Sequence, residues 1–418
     1  MSTALAQFDA IFNILLVVTA ITLVTRRLHF PQTIALIMAG IYSTMFTRLQ
    51  LPPIESDIFV SVLLPPILFR ETLHLNVDEL IDDTDTILGY AVFGTLAMTL
   101  SVGLFSRFIL GFGLIESLLL GIIIAPTDPV AVISTFQRMG VVKRFQLLVA
   151  GESLFNDGVA IVIYSVLVSV LTLGTLTLLD VLKIGTITIL GGILLGIVSG
   201  YLAHLLFCWS DDKFVDVLIS FILAFGVFRL AEGVGVSGVL ATVVAGLIIN
   251  YRSKNYGGLG RPSIEMLDSL WEFVGFVAQS AAFIFIGVNT DTAILYKYAG
   301  PIFVIAVFTL LARLLMVVSV AQLLQATRNK SIPNDWALGM VWSGLRGGVS
   351  LVLALGVDSL GLENAEAMLA LTFGVVLISN IFQGLSMSRA VTALKLSTVE
   401  GSSVSSGATE AGSLEGGR

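Results

Sequence analysis

Apolar runs long enough to cross a lipid bilayer recur along almost the whole chain, and this pattern constrains the fold most strongly. A transmembrane helix needs roughly 20 predominantly apolar residues. The runs therefore predict an all-α polytopic membrane protein with about thirteen transmembrane helices. The predicted helices are 8–25, 31–47, 57–69, 87–106, 112–136, 146–171, 181–207, 214–231, 237–250, 270–288, 299–323, 335–357 and 365–387.

Composition points to the same class. Only 12% of the 418 residues are charged, against about 25% in soluble domains, and so few charges could not cover a soluble globule of this size. No basic stretch suits a nucleic acid, so we expect no nucleic-acid partner. The single cysteine, Cys208, excludes an internal disulfide and a multi-cysteine metal site. The first 25 residues lack a basic leader and an A-x-A site, so they predict a first spanning helix rather than a removed signal.

The basic residues of the predicted loops set the orientation. With the N-terminus outside, twelve fall in inner loops and three in outer loops, as the positive-inside rule requires. The inner ones are Arg26, Arg27, Arg70, Arg138, Lys143, Arg144, Lys213, Arg252, Lys254, Arg261, Arg328 and Lys330, and the outer ones are Arg48, Arg107 and Lys297. An odd helix number places the C-terminus in the cytoplasm. Residues 388–418 are rich in Ser, Gly and Glu, which predicts a disordered cytoplasmic tail after a transmembrane domain over 1–387.

The first of three polar clusters interrupts the fifth predicted helix at residues 125–130, with the sequence APTDPV. An ionisable residue inside a membrane is a functional hypothesis by default. Pro126 and Pro129 flank Thr127 and Asp128, and each proline removes an N–H and clashes with the preceding turn. We therefore expect a broken helix with free carbonyls, a hydroxyl and a carboxylate for a cation. The alternative is a kinked helix whose aspartate is satisfied locally.

The second cluster, GESLFNDG at 151–158, opens the sixth predicted helix. Glu152 and Asn156 share one face, and Ser153 and Asp157 share the adjoining stripe. Hard oxygen ligands of this kind suit sodium or lithium and not a soft metal. Asp157 is the deeper carboxylate and is predicted to carry both the cation and the proton. A helix N-terminus also favours acidic residues, and Glu152 partly fits that alternative.

The third cluster, WSGLRGGVS at 342–350, lies in the twelfth predicted helix. Three glycines in five residues weaken a helix and permit unwound backbone. Arg346 stands between them and is predicted to balance the carboxylates by pairing with Glu152 or Asp128. The alternative is a glycine-rich packing seam with an arginine that snorkels to the interface. Arg313, inside the eleventh helix, is predicted to answer a carboxylate on another helix that the sequence does not identify.

Two interrupted helices, the fifth and the twelfth, stand seven helices apart in an otherwise ordinary apolar array. Paired interruptions of this kind indicate the midplane site of a secondary transporter, with inverted repeats around it. The sequence therefore predicts a site divided between two broken helices and the helix that carries Asp157.

The motifs APTDPVAV, GESLFNDGVAIV and WSGLRGGVSL, together with LLPPILF at 63–69, resemble the monovalent cation:proton antiporter-1 family. This family includes NhaP-type bacterial antiporters and is related to animal sodium/proton exchangers. The similarity extends over about residues 8–387. It implies the NhaA-like fold, in which two broken helices cross in a core domain beside a dimerisation domain, and it implies a homodimer.

The resemblance also implies roles for residues that match the family motifs. Asp157 resembles the essential ion-binding aspartate, and Asn156 resembles the neutral neighbour that is typical of electroneutral members. The implied ion-binding residues are Asp157, Ser153, Thr127, Asn156, Asp128 and Glu152, with Asp157, Ser153 and Thr127 as ligands of Na⁺ and Arg346 as the charge-compensating residue.

The functional hypothesis is a secondary antiporter that exchanges Na⁺ or Li⁺ for H⁺ by alternating access. One exchangeable carboxylate beside an uncharged Asn156 predicts electroneutral 1:1 exchange. The alternatives are a K⁺/H⁺ antiporter, a sodium-coupled solute symporter and a cation channel. The sequence contains no H-E-x-x-H, Walker A or G-x-S-x-G motif, so we expect no enzymatic activity and no cofactor beyond the transported ions. We expect a plasma-membrane protein that serves pH homeostasis.

Overall fold

The computed structural model describes residues 3–28, 31–45, 59–174, 177–328, 332–358 and 360–397. Within these ranges the chain is almost entirely helical, and each predicted apolar segment coincides with a helix. The main helices are α1 Thr3–Leu28, α2 Gln32–Met45, α3 Leu64–His74, α4 Thr84–Leu110, α5a Leu114–Ile124, α5b Val130–Arg138, α6 Lys143–Leu173, α7 Leu178–Trp209, α8 Lys213–Gly233, α9 Gly238–Tyr256, α10 Arg261–Val288, α11 Ala299–Arg328, α12a Asn334–Trp342, α12b Gly348–Asp358 and α13 Ala365–Ala393. Two six-residue helices, Val77–Asp82 and Thr292–Lys297, lie in the connections after α3 and α10.

Seven of these helices are long and apolar enough to cross a membrane, and three shorter apolar helices accompany them in the described part of the chain. The seven are α4, α6, α7, α8, α10, α11 and α13. The protein is therefore an integral membrane protein built from helices. The prediction of thirteen crossings stays a prediction, since length and composition alone select fewer.

Helix α3 continues beyond the end that the apolar pattern predicts. Pro65 and Pro66 stand in its first turn, directly after a π-helical turn over Phe59–Leu63. A proline is tolerated there because the first N–H groups of a helix have no partner within it. The helix then continues to His74. Glu71 consequently lies on a helix and not in the loop that the apolar pattern predicted.

Helix α13 continues six residues beyond the predicted boundary at residue 387 and ends at Ala393. Val391 is buried on this extension. Leu396 is buried too, and its carbonyl accepts a hydrogen bond of 3.1 Å from the Val142 amide. Residues 388–397 thus belong to the folded domain, and the rest of the predicted tail lies outside the described residues.

Helix packing divides the described chain into two groups. Helices α4, α5, α6, α11, α12 and α13 contribute most of the largest buried apolar cluster. A second cluster around Trp271 unites α3 with α7 to α10, while α2 packs on α10. Helix α7 approaches α9 closely, because a side chain at Gly196 would meet the Ala241 carbonyl. The two broken helices lie in the first group, and α3 and α10 of the second group face them.

Candidate functional site

The break between α5a and α5b follows from its two prolines. In a continuous helix the Ala125 carbonyl would accept the N–H of residue 129, but Pro129 has none. The Pro126 carbonyl loses its partner as well, because the Val130 amide donates instead to the Asp128 carboxylate at 3.0 Å. Two buried carbonyls at the end of a half-helix therefore need donors from elsewhere.

Arg346 supplies those donors. Its buried guanidinium donates to the carbonyls of Ala125 and Pro126, the latter at 3.1 Å. It thus places a positive charge at the negative end of α5a, where a cation is favoured. The predicted pairing of Arg346 with Glu152 or Asp128 is wrong, since among the described residues its guanidinium forms an ion pair with neither. The physical reason is that the broken helix already presents unpaired carbonyls to the arginine.

The partner of Glu152 is Arg313. The two side chains form a bidentate pair with both N–O distances at 3.0 Å, and both are about 2% exposed. Arg313 also donates to the Met340 carbonyl near the end of α12a, from Nε at 3.2 Å. The carboxylate that the sequence could not assign to Arg313 is therefore Glu152. Glu152 does not line the cavity described below, so its geometry suits a charge partner better than an ion ligand.

Thr127 is held by two α6 residues of the second motif, Ser153 and Asn156. Ser153 donates its hydroxyl hydrogen bond to the Thr127 carbonyl. Asn156 donates from its amide nitrogen to the Thr127 hydroxyl at 2.9 Å. Its amide oxygen accepts from the Thr127 N–H at 3.5 Å. Ser153 and Asn156 consequently fix the backbone of the first break, and neither lines the cavity itself.

Asp157 is 8% exposed and faces a cavity of about 30 Å³. A cavity needs about 10–15 Å³ to hold one water molecule, so this one is large enough for a small ion. The Oδ1 atom of Asp157 has no hydrogen-bond partner among the described residues. The cavity is lined by Leu64, Ile67, Glu71, Pro126, Thr127, Asp128, Pro129, Asp157, Gln279, Ala282, Phe283, Gly347, Gly348, Val349 and Ser350. Of the predicted ion-binding residues, Asp157, Thr127 and Asp128 thus meet at one cavity.

Asp128 joins the two breaks. Its backbone N–H donates to the Leu345 carbonyl at 2.8 Å, which is a direct contact between the interrupted segments. Its carboxylate accepts long hydrogen bonds from Gln279 on α10, at 3.4 and 3.5 Å. Gly347 lies so close that a side chain there would overlap the Asp128 carboxylate. The crossing of the two broken helices therefore fixes the position of this carboxylate.

Three residues on α13 close the second break. The Asn380 amide donates to the Arg346 carbonyl at 2.7 Å, and the Ser379 hydroxyl accepts from the Arg346 N–H at 3.2 Å. Gln383 donates to the Val341 and Trp342 carbonyls at 3.3 and 3.2 Å. A π-helical turn over Asn380–Gly384 carries two of these side chains. The backbone around Arg346 is thus held on both sides of the arginine.

The sequence did not identify Glu71, Gln279 or Ser350 as site residues, although all three line the cavity. One signal for Glu71 was present: prolines at the start of a helix favour its continuation toward the C-terminus, which brings Arg70 and Glu71 onto α3. Gln279 lies on an apolar helix and belongs to none of the motifs. Ser350 stands inside the third motif, but the charged Arg346 was the stronger signal in that motif.

A wider cavity of about 910 Å³ lies next to the site and shares Glu71 and Pro129 with it. Its ionisable and amide lining residues are Arg70, Glu71, His74, Asn76, Glu79, Gln137, Lys143, Gln146 and Glu272. They come from the end of α3 and the connection after it, from α5b, from the start of α6 and from α10. This wider cavity, which we call the vestibule, adjoins the small cavity at Glu71 and Pro129 and lies toward one end of the helix bundle.

Known proteins resemble this chain over most of its length. A family model described as the transmembrane sodium/hydrogen exchanger matches residues 14–393. The chain is 30% identical over 407 residues to the Na⁺/H⁺ antiporter NhaP of Pseudomonas aeruginosa, covering 91% of this chain and 95% of that protein. It is 28% identical over 395 residues to the Na⁺/H⁺ antiporter ApNhaP of Aphanothece halophytica, covering 94% and 75%.

The fold is similar to that of the sodium proton antiporter MjNhaP1 from Methanocaldococcus jannaschii. The TM-score is 0.78 at 20% sequence identity, and the match covers 94% of this chain and 99% of that one. The family resemblance and the all-helical antiporter fold predicted from the motifs are both confirmed. The chain belongs to the sodium/hydrogen exchanger family.

Proposed function

We propose that this protein is a secondary antiporter that exchanges Na⁺ or Li⁺ for H⁺ across a membrane. The observation that carries the proposal is the buried Asp157 carboxylate, which lines a cavity large enough for a small ion and whose Oδ1 has no hydrogen-bond partner in the described structure. Thr127 and Asp128 line the same cavity and offer further hard oxygen ligands. The relatives named as Na⁺/H⁺ antiporters support the same substrates.

The exchange follows from competition for one carboxylate. A bare charge in a buried site costs free energy, so the empty and unprotonated state of Asp157 is the least favoured. Either a proton or a cation neutralises it. A core that moves only with a neutral Asp157 carries one ion in each direction, and this rule makes the exchange obligatory. The cycle consists of binding and movement, and we propose no enzymatic step.

The other polar groups favour a 1:1 exchange. Asn156 is uncharged and bonded to Thr127. Glu152 is balanced by Arg313 in a bidentate pair. If Glu71 and Asp128 keep fixed protonation through the cycle, one proton leaves for each cation that enters, and the transport is electroneutral.

The vestibule suggests which way the site opens. It lies at the end of the bundle where α5b finishes and α6 begins, beside Arg138 and Lys143. The positive-inside rule assigns this end to the cytoplasm, so we propose an inward-facing conformation. A cytoplasmic C-terminus and a plasma-membrane location belong to the same proposal. At the opposite end Lys297 and Glu366 form an ion pair at 2.7 Å. A homodimer in the lipid bilayer is part of the same proposal.

The test is proton flux in proteoliposomes that contain a pH-sensitive dye. An imposed Na⁺ or Li⁺ gradient should move protons in the opposite direction, and clamping the membrane voltage should leave the rate unchanged. Asp157→Asn removes the titrating group and should abolish exchange. A response to K⁺ alone would replace the sodium assignment, and normal activity of Asp157→Asn would refute the central carboxylate. Strong voltage dependence would contradict only the 1:1 stoichiometry.

A further inference from the structure

Ser350 lies in the first turn of α12b and is 1% exposed. It lines the cavity that Asp157, Thr127 and Asp128 also line. Its Oγ atom has no hydrogen-bond partner among the described residues. An unpartnered hydroxyl in a buried position costs free energy, so its presence at an ion-sized cavity needs a physical reason.

Several other buried hydroxyls on helices of this protein are bonded, and Thr242 and Thr309, which also have no partner among the described residues, do not line this cavity. Thr99 and Ser106 on α4 donate to the carbonyls four residues earlier, each at 2.7 Å, and Thr372 on α13 does the same at 2.8 Å. The equivalent acceptor for Ser350 is the Arg346 carbonyl, but that carbonyl receives the Asn380 amide at 2.7 Å. The Gly347 carbonyl, three residues earlier, lies in the unwound segment before the helix. The Ser350 hydroxyl is therefore left without a backbone acceptor at the start of α12b.

Two residues that line one small cavity thus each carry an unpartnered side-chain oxygen: Oδ1 of Asp157 on α6 and Oγ of Ser350 on α12b. We propose that the Ser350 hydroxyl is a ligand of the transported cation, contributed by the second broken helix. The proposal rests on the proposed function and adds a ligand to its site. The cation then joins three elements, with Thr127 and Asp128 from the first break, Asp157 from α6 and Ser350 from the second.

A serine hydroxyl suits both states of the cycle. It presents a lone pair to a cation while it donates its own hydrogen, and it accepts a hydrogen bond from a protonated carboxyl group. A cation needs several oxygen ligands at once, whereas the proton is held by a covalent O–H bond. Loss of the hydroxyl should therefore weaken cation binding more than proton binding.

The test compares Ser350→Ala with Ser350→Thr, which keeps the hydroxyl. The control is Ser106→Ala, the same chemical change at a buried hydroxyl that is bonded to the Val102 carbonyl and does not line the cavity. In proteoliposomes the apparent KM of Ser350→Ala for Na⁺ should rise about fivefold. A change of this size corresponds to the loss of one contact as strong as an ordinary hydrogen bond. The maximal rate should change little, and Ser350→Thr should return KM toward the wild-type value.

A second readout needs no transport. Na⁺ should raise the thermal unfolding midpoint of the detergent-solubilised wild type and of Ser106→Ala, and should raise that of Ser350→Ala much less. If the alanine variant is unstable, Ser350→Cys keeps nearly the same shape with a softer atom that is a poor sodium ligand. The thiol variant should show the same rise in KM.

The outcomes separate this inference from the proposed function. A wild type with neither sodium-driven proton flux nor sodium-dependent stabilisation overturns the proposed function and this inference together. A wild type that exchanges normally, with Ser350→Ala equal to Ser106→Ala in KM, overturns only the role of Ser350. A lower unfolding midpoint for Ser350→Ala with unchanged KM and an unchanged sodium effect means a structural role, and it overturns the ligand assignment as well.

Discussion

The two helix breaks that cross at the site are closed in the same way but are made differently. Prolines 126 and 129 open the first break by removing N–H donors, and the free carbonyls receive Arg346. The second break contains glycines, and the Met340 carbonyl near the end of α12a receives Arg313. Each half-helix thus ends on an arginine, but only Arg313 also pairs with a carboxylate.

Two glycines of the second break, Gly344 and Gly347, serve close approach and not unusual backbone angles. Gly344, Gly347 and Gly348 all lie outside the left-handed region. A side chain at Gly344 would overlap the Arg313 guanidinium, and one at Gly347 would overlap the Asp128 carboxylate. The first break therefore brings Thr127 and Asp128 to the cavity, whereas the glycines of the second break leave space for Arg313 and for Asp128. Unpaired backbone in a bilayer requires such closure by side chains from within the protein.

The largest effect on stability is expected at Arg313, which both bonds to a carbonyl near the end of α12a and pairs with Glu152. Glu152→Leu should lower the free energy of unfolding by about 3–5 kcal/mol, because Arg313 then stays buried without its carboxylate. Chemical denaturation in detergent measures this loss. The double variant Glu152→Leu with Arg313→Met should lose less than the single one, since no lone charge remains. A loss under about 1 kcal/mol in the single variant would contradict the buried pair.

A smaller effect is expected at the other half-helix end. Arg346→Gln removes charged hydrogen bonds from the Ala125 and Pro126 carbonyls and should cost about 2–3 kcal/mol, with no carboxylate left unpaired. Double-variant cycles in the same denaturation assay sharpen the comparison. Glu152 should couple more strongly to Arg313 than to Arg346. The reverse order would restore the pairing that the sequence predicts for Arg346.

The sequence predicts the breaks well because their causes are local. Prolines act on their own turn, and a run of apolar residues defines a membrane helix without any knowledge of its neighbours. The partner of a buried charge is not local in this way, since Glu152 and Arg313 stand 161 positions apart. A membrane helix is apolar on nearly all sides, so the pattern does not tell which face meets the protein interior. For that reason Arg313 had no predictable partner, and Gln279 gave no signal at all.

Glu152 and Asp157 illustrate the same limit within a single helix. Five residues at about 100° each separate the two side chains by roughly 140° around the axis. One faces Arg313 and the other faces the cavity. The motif correctly brings both carboxylates onto α6, but it does not assign them different tasks. That distinction needs the position of α11 relative to α6, which is a property of the packed bundle.

The smallest effect tests whether the second break depends on space or on flexibility. Gly347→Ala places a methyl group against the Asp128 carboxylate and should cost about 1–2 kcal/mol by overpacking, with a matching loss of sodium-driven proton flux. Gly348→Ala is the control, because its methyl group meets nothing within 4 Å. Alanine forms helix better than glycine by about 1 kcal/mol, so this variant at the start of α12b should be neutral or slightly more stable. If both alanines reduce flux equally, the glycines act through backbone freedom, and the contrast between a break that offers ligands and a break that offers space is wrong.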